Sequence, residues 1–233
     1  MDIVHTYLGR SKMCPLSLIW YRRLFDDLRI AQVLIDHLIK PSAERMERIT
    51  SFIDTRREIG TGAFFTEIGS LNFPILRDVE IFCQVSSPLT YTLGRNAPLL
   101  RHCRLHCSYL LLPLSSNLVV IDYSSTLLGE GTNVNHLLEF LPRVAHSLEH
   151  LRFRPPFNIC FAAGGLKINL QNLKSLLIEN NYAIMDHILV PNLIYFAAPR
   201  LFFVEVGKMF NDFSAPKFQS IQFYQVSLTP LLA

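Results

Sequence analysis

The chain has 233 residues, of which 50% are hydrophobic and 18% charged, with a formal net charge of +3. That much apolar material excludes intrinsic disorder, and a mild charge without a basic run or an aromatic-interleaved Lys/Arg stripe excludes a nucleic-acid surface. The two most apolar windows are interrupted, Tyr109 to Tyr123 by Pro113, Ser115, Ser116 and Asn117, and His187 to Val206 by Pro191, Pro199 and Arg200. Neither offers the roughly 20 uninterrupted apolar residues a bilayer demands, so no membrane association is expected.

The start, Met1-Asp2-Ile3, lacks a basic stretch followed by an apolar one and does not read as a signal peptide. Pro15-Leu16-Ser17-Leu18-Ile19-Trp20 reads as a first strand. Leu24, Leu28, Ala31, Ile35 and Leu38 follow the 4-3-4-3 spacing of one helical stripe, and Pro41 is expected to stop that helix. Met46 to Phe52 is a weaker strand candidate, and Arg56 to Glu67, with Gly60 and Gly62, reads as a loop.

A recurring pattern then takes over: Pro-x-Leu-x-x-Φ-x-Φ, where Φ is apolar. It runs Pro74-Ile-Leu76-Arg-Asp-Val79-Glu-Ile81 and Pro98-Leu-Leu100-Arg-His-Cys103-Arg-Leu105. It returns at Pro191 to Ala198, Pro199 to Val206 and Pro216 to Phe223, and without the proline at Leu118, Leu148 and Leu173. The leading positions Leu76, Leu100, Leu118, Leu148, Leu173, Leu193 and Phe218 lie 18 to 30 residues apart. That interval is the one leucine-rich repeats use, about 20–29 residues. Leu201 follows Leu193 too closely for both to head full repeats. Each Φ-x-Φ core alternates as a half-buried strand does, and the proline suits a strand's first residue. Asn135 to Leu141 reads as a short helix on the outer side, ending near Pro142.

A unit that cannot bury its apolar face alone implies stacking. The expected fold is therefore α/β: a leucine-rich-repeat solenoid with a curved parallel sheet on the concave face and irregular helices and loops on the convex face. One solenoid is expected over residues 1–233, atypical over 1–70 and clearer over 71–233. Function is expected on the concave face, at residues between and beside the Φ positions. These are Asp78, Glu80 and Phe82; His102, Arg104 and His106; Asp122; His150, Arg152 and Arg154; Glu179; and Gln222 and Tyr224. Arg104, Arg152, Arg154 and the nearby histidines form an expected basic patch, with Asp122 between its two rows and Asp78, Glu80 and Glu179 beside it. Arginine beside aromatic or imidazole groups is typical of protein-binding surfaces.

Five cysteines, an odd number in a chain of this size, suggest buried free thiols in a reducing compartment, cytoplasm or nucleus. His102-Cys103-Arg104-Leu105-His106-Cys107 carries metal-ligand residue types, but a strand puts His102 and His106 on one face and Cys103 on the other. Cys103 is also a Φ position. No second Cys/His pair follows at suitable spacing, so neither a metal nor a cofactor is expected; the competing idea is a metal or ligand site on His102 and His106. Gly129-Glu-Gly131 and Gly164-Gly165 are turn signals, not a phosphate-cradling loop, and no Gly-x-Ser-x-Gly elbow occurs. An enzyme is not expected.

The phrase Tyr7-Leu8-Gly9-Arg10-Ser11-Lys12-Met13-Cys14-Pro15-Leu16-Ser17-Leu18 resembles one common in fungal F-box proteins, where it follows the F-box and opens a leucine-rich-repeat region. Asn96 to Arg101, Ser147 to Arg152 and Gln171 to Leu176 are similar to phrases of the same families. The resemblance implies the substrate-recognition region of an F-box-type ubiquitin-ligase subunit, with a protein substrate on the concave surface. The F-box lies upstream of this phrase in those families, and only seven residues precede Leu8 here. Docking on the ligase adaptor is thus expected only where an upstream F-box exists. The alternative is a stand-alone repeat scaffold or degenerate paralogue without a ligase role.

Overall fold

The computed structural model describes residues 6, 8–11, 14–21, 32–54, 67–84, 96–107, 115–124, 135–155, 167–179, 183–198 and 220–222. The chain falls into two compact units, Met1–Leu118 and Val119–Ala233. In the first, strands β1 (Leu16–Tyr21), β2 (Met46–Asp54), β3 (Asp78–Gln84) and β4 (His102–Cys107) pair in chain order, all parallel. In the second, β5 (Val120–Ser124), β6 (His150–Arg154), β8 (Ser175–Ile178), β10 (Tyr195–Ala197) and β11 (Ser220–Gln222) form a parallel sheet in that order. A separate parallel pair joins β7 (Ile168–Asn169) to β9 (Ile188–Leu189). Helix α1 (Asn135–Val144) connects β5 to β6. The fold is α/β with parallel strands.

Period-two alternation decides which residues each sheet buries. Val79, Ile81, Cys103, Leu105, Ile121, Tyr123, Leu151, Phe153, Leu176 and Ile178 all point inward and are buried. Leu76, Leu100, Leu118, Leu148, Leu173 and Leu193 are buried completely. Leu193 therefore heads a strand-bearing unit; Leu201 lies outside the described residues.

Pro74, Pro98 and Pro191 do not begin strands, and Pro199 and Pro216 lie outside the described residues. The N–H of Leu76 donates to the Phe73 carbonyl (3.3 Å), Leu100 to Ala97 (3.1 Å) and Leu193 to Val190 (3.2 Å). Each leucine closes a four-residue turn, and Pro74, Pro98 and Pro191 occupy its second position, where a fixed φ and a missing N–H cost nothing. Gln171 takes that place in the turn that Leu173 closes on Leu170 (3.2 Å). The first turn residue, Phe73, Ala97, Leu170 or Val190, is buried, an apolar position the pattern had not included.

Two further devices recur. A single carbonyl accepts N–H groups from two successive residues of the next strand region: Arg77 from Arg101 and His102 (both 3.0 Å), Val119 from Glu149 and His150 (2.9 and 3.0 Å), Glu149 from Lys174 and Ser175 (2.8 and 3.0 Å), and Lys174 from Ile194 and Tyr195 (both 2.9 Å). Both carbonyl lone pairs are thereby used. Asparagine amides also reach back to a backbone carbonyl one unit earlier: Asn96 to Ser70, Asn117 to Pro98, Asn172 to His146 and Asn192 to Gln171, at 2.5–3.3 Å.

Proline fails to stop either helix. The N-terminal one passes from Gln32 through a π-helical turn (Ile35–Ile39) and a helical turn holding Pro41 to a 3-10 turn (Ala43–Arg45). The Lys40 N–H donates to the Ile35 carbonyl, the wider π spacing, so the stripe shifts by one residue. Ile39 is fully buried and Leu38, expected there, is only half-buried. Lys40 binds Asp36 at 2.6 Å, and that hydrogen bond holds the Asp36 carboxyl below its usual range. In α1, Pro142 is exposed and the helix runs on to the buried Val144, with Leu137, Phe140 and Leu141 also buried. The expected loop at 56–67 lies outside the described residues except for Glu67.

Arg45 closes the helical segment onto the N-terminal residues. Its guanidinium donates to the carbonyls of Leu8 (3.3 Å), Ser11 and Cys14 (3.1 Å) and to the Ser11 hydroxyl (3.0 Å). The phrase from Leu8 to Cys14 is thus tied to the start of β2 by one side chain.

Candidate protein-binding surface

In the first unit, register places the outward residues of β2, β3 and β4 in three rows: Arg48-Asp78-His102, Thr50-Glu80-Arg104 and Phe52-Phe82-His106. Asp78 lies between Arg48, at 3.3 Å, and Nδ1 of His102. Glu80 faces Arg104 at 3.6 Å. The third row is a stack: the Phe82 ring lies 4.4 Å from Phe52 and 4.2 Å from His106, with interplanar angles of 6° and 3°. Both faces of Phe82 are covered by its neighbours.

In the second unit, Asp122, Arg152 and Leu177 are in register, as are Ser124 and Arg154. Arg152 sits between two carboxylates, Nη1 3.7 Å from Asp122 and Nη2 3.4 Å from Glu179. The Glu179 N–H donates to the Phe153 carbonyl (2.9 Å), which brings its side chain beside Arg154, whose Nε is 2.5 Å from Oε1. That short contact is an ion pair without hydrogen-bond alignment, since the same Nε has no hydrogen-bond partner. His150 is exposed at the start of β6. Ser124, two residues after Asp122 on β5, is buried, a short hydroxyl opposite a long arginine.

Eleven of the sequence-derived candidates, from Asp78 to Glu179, thus lie on outward positions of the two sheets and are half-buried or exposed. Gln222 belongs to β11, where only the backbone is described, and Tyr224 lies outside the described residues. The carboxylates lie within ion-pair distance of the arginines instead of merely flanking them. Arg48 and Phe52 were not among the candidates. Ser51, 3% exposed with an unpartnered hydroxyl, stands where β2 should carry an apolar inward residue and hid the alternation that would have revealed them.

His102 and His106 share the outward face; the Cys103 thiol is buried between core residues and desolvation pushes its pKa up to about 12. At neutral pH it is a small apolar core side chain. Among the described residues, no group of three or more His, Cys, Asp or Glu is gathered to hold a metal ion, and no helix is long and apolar enough to cross a membrane.

No known protein family, curated protein or solved structure matches this chain.

Proposed function

We propose that this chain is a leucine-rich-repeat solenoid that binds a protein partner on the outward face of its strands and performs no catalysis. The observation that carries this reading is the alternation along β3, β4, β5 and β6: apolar residues in the core, and arginines, carboxylates and rings on the other side. The recurring turns, shared carbonyls and asparagine ties support the repeat assignment. With the resemblance of residues 7–18, 96–101, 147–152 and 171–176 to fungal F-box proteins, the reading becomes the substrate-recognition region of an F-box-type ubiquitin-ligase subunit. Its role is to hold a protein substrate while an F-box docks the ligase adaptor.

The test compares affinity-purified protein from cell extract in two forms, the present chain and one extended upstream along its reading frame. Mass spectrometry of co-purifying proteins should find the ligase adaptor and a cullin with the extended form only. Recovery of neither from either form would replace the ligase role with that of a stand-alone scaffold.

A further inference from the structure

We propose that β1 pairs edge to edge with the β1 of a second copy of this chain, so that two molecules join through one antiparallel strand pair. The inference concerns assembly and stands apart from the ligase reading.

The argument starts from the backbone. Among the described residues β1 is the outermost strand of the first unit, and it pairs with β2 alone. The N–H and C=O groups of every second residue therefore face away from β2 without a partner strand. The protein ligand such a row fits is an extended chain, added as a further strand. The side chains beside this edge are uncovered too. Leu18 stands inward in the row Leu18-Ile49-Val79-Cys103, yet it is half-buried where the other three are buried. On the outward face Ile19 is 58% exposed, more than any other large apolar residue described.

Charge selects the occupant. A free edge is ordinarily guarded by lysine, by proline, by an inward charge or by a bulge. Here β2, β3 and β4 all carry charged residues, whereas Leu-Ser-Leu-Ile-Trp-Tyr of β1 has none. Pro15 precedes the strand and removes no donor from it. The register shift at Leu16/Ser17 places its extra residue, Glu47, on β2, so β1 itself is not bulged. An uncharged strand without internal proline meets a copy of itself with no like-charge repulsion, whereas a charged strand would lose hydration against it and gain no counter-charge. A two-fold axis makes the pairing antiparallel and closes it at two copies, because each molecule contributes the same edge. Centred on Ile19, the axis sets Ile19 against Ile19 and covers the exposed side chain in both. Arg45 holds the edge ready-formed, since it binds the carbonyls of Leu8, Ser11 and Cys14 in the segment that leads into β1.

The experiment is analytical ultracentrifugation of the full chain over a range of concentrations, with amide hydrogen exchange on the same samples. A reversible monomer–dimer equilibrium is expected, and exchange in residues 16–21 should slow as concentration rises. Ile19→Lys puts like charges together across the axis and should raise the dimer dissociation constant at least roughly tenfold. Ile19 is exposed within the monomer, so the melting midpoint of that variant in dilute solution should match the wild type. Leu99→Lys, at an exposed turn position of the same unit, should leave the dimer unchanged. A monomer at every concentration, a dimer that tolerates Ile19→Lys, or assemblies that keep growing with concentration would overturn the proposal. So would protection of the β1 amides that is independent of concentration, which would assign the edge to another segment of the same polypeptide. The wild-type exchange measurement needs no variant, so a substitution that fails to fold does not blunt it. Recovery of adaptor and cullin bears only on the ligase reading, so the two proposals can fail separately.

Discussion

Within each unit the outward residues stand in register from strand to strand, and the two units differ in what those residues are. On β2 to β4 each cation meets a carboxylate on the next strand, and a ring stack finishes the face. On β5 to β8 Arg152 and Arg154 converge on Glu179, and Arg152 also reaches Asp122 on the neighbouring strand. Behind both faces the inward rows are alike in being buried and, Ser51 apart, apolar. The repeat therefore determines where side chains stand, because pleat and register leave no choice, while the chemistry of the outward row is free to vary. The inward row holds each unit together, and the outward row is where the two units differ.

The sharpest way to break that division is to put a charge in the shared row. Leu151→Asp should unfold the second unit, at a cost above about 4 kcal/mol, because the carboxylate has no partner and no water in the core. A cooperative melt retained near the wild-type midpoint would mean that Leu151 faces outward and that the strand register is wrong by one residue.

A smaller effect is expected from the ring stack, where the outward face is partly structural. Phe82→Ala removes two stacked contacts and should cost about 1–2 kcal/mol, seen as a lower denaturation midpoint. Arg154→Ala on the other face should cost less than half of that, since its ion pair is partly solvent-exposed. Equal losses would erase the distinction between the two faces.

A modest change should also follow double charge reversal, Arg104→Glu with Arg152→Glu. Arg104 exchanges one modest ion pair, and Arg152 two, for repulsions, so thermal stability should fall by about 1–2 kcal/mol, and less in high salt. A salt-independent collapse would show that these guanidiniums hold the fold together.

Much of the architecture was legible because alternation is a local property. Val79, Ile81, Leu151 and Phe153 declare themselves as core by spacing alone, and so do their outward neighbours Glu80 and Arg152. Pro142 and Pro41 misled, because a proline stops a helix only where the lost N–H matters. At Pro41 the π turn had already changed the hydrogen-bond spacing. The proline of each repeat was assigned to the wrong element for a similar reason: fixed φ suits both a strand start and the second turn position. Only the Leu76-to-Phe73 bond and its equivalents distinguish them. Phe52 was hidden by Ser51, a buried hydroxyl in an apolar place.

The sequence by itself determined the parallel α/β class, the inward rows and the candidate outward residues, since each follows from period, turn chemistry and the need to bury apolar surface. Tertiary structure alone decided which outward residues meet. Arg154 and Glu179 are 25 positions apart and belong to different strands' ends; nothing in either local segment encodes their contact. Cross-strand partners depend on register between segments joined by connections of variable length, and register is a property of the assembled sheet. That is why the core could be read residue by residue while the guanidinium fork of Arg154 had to be seen.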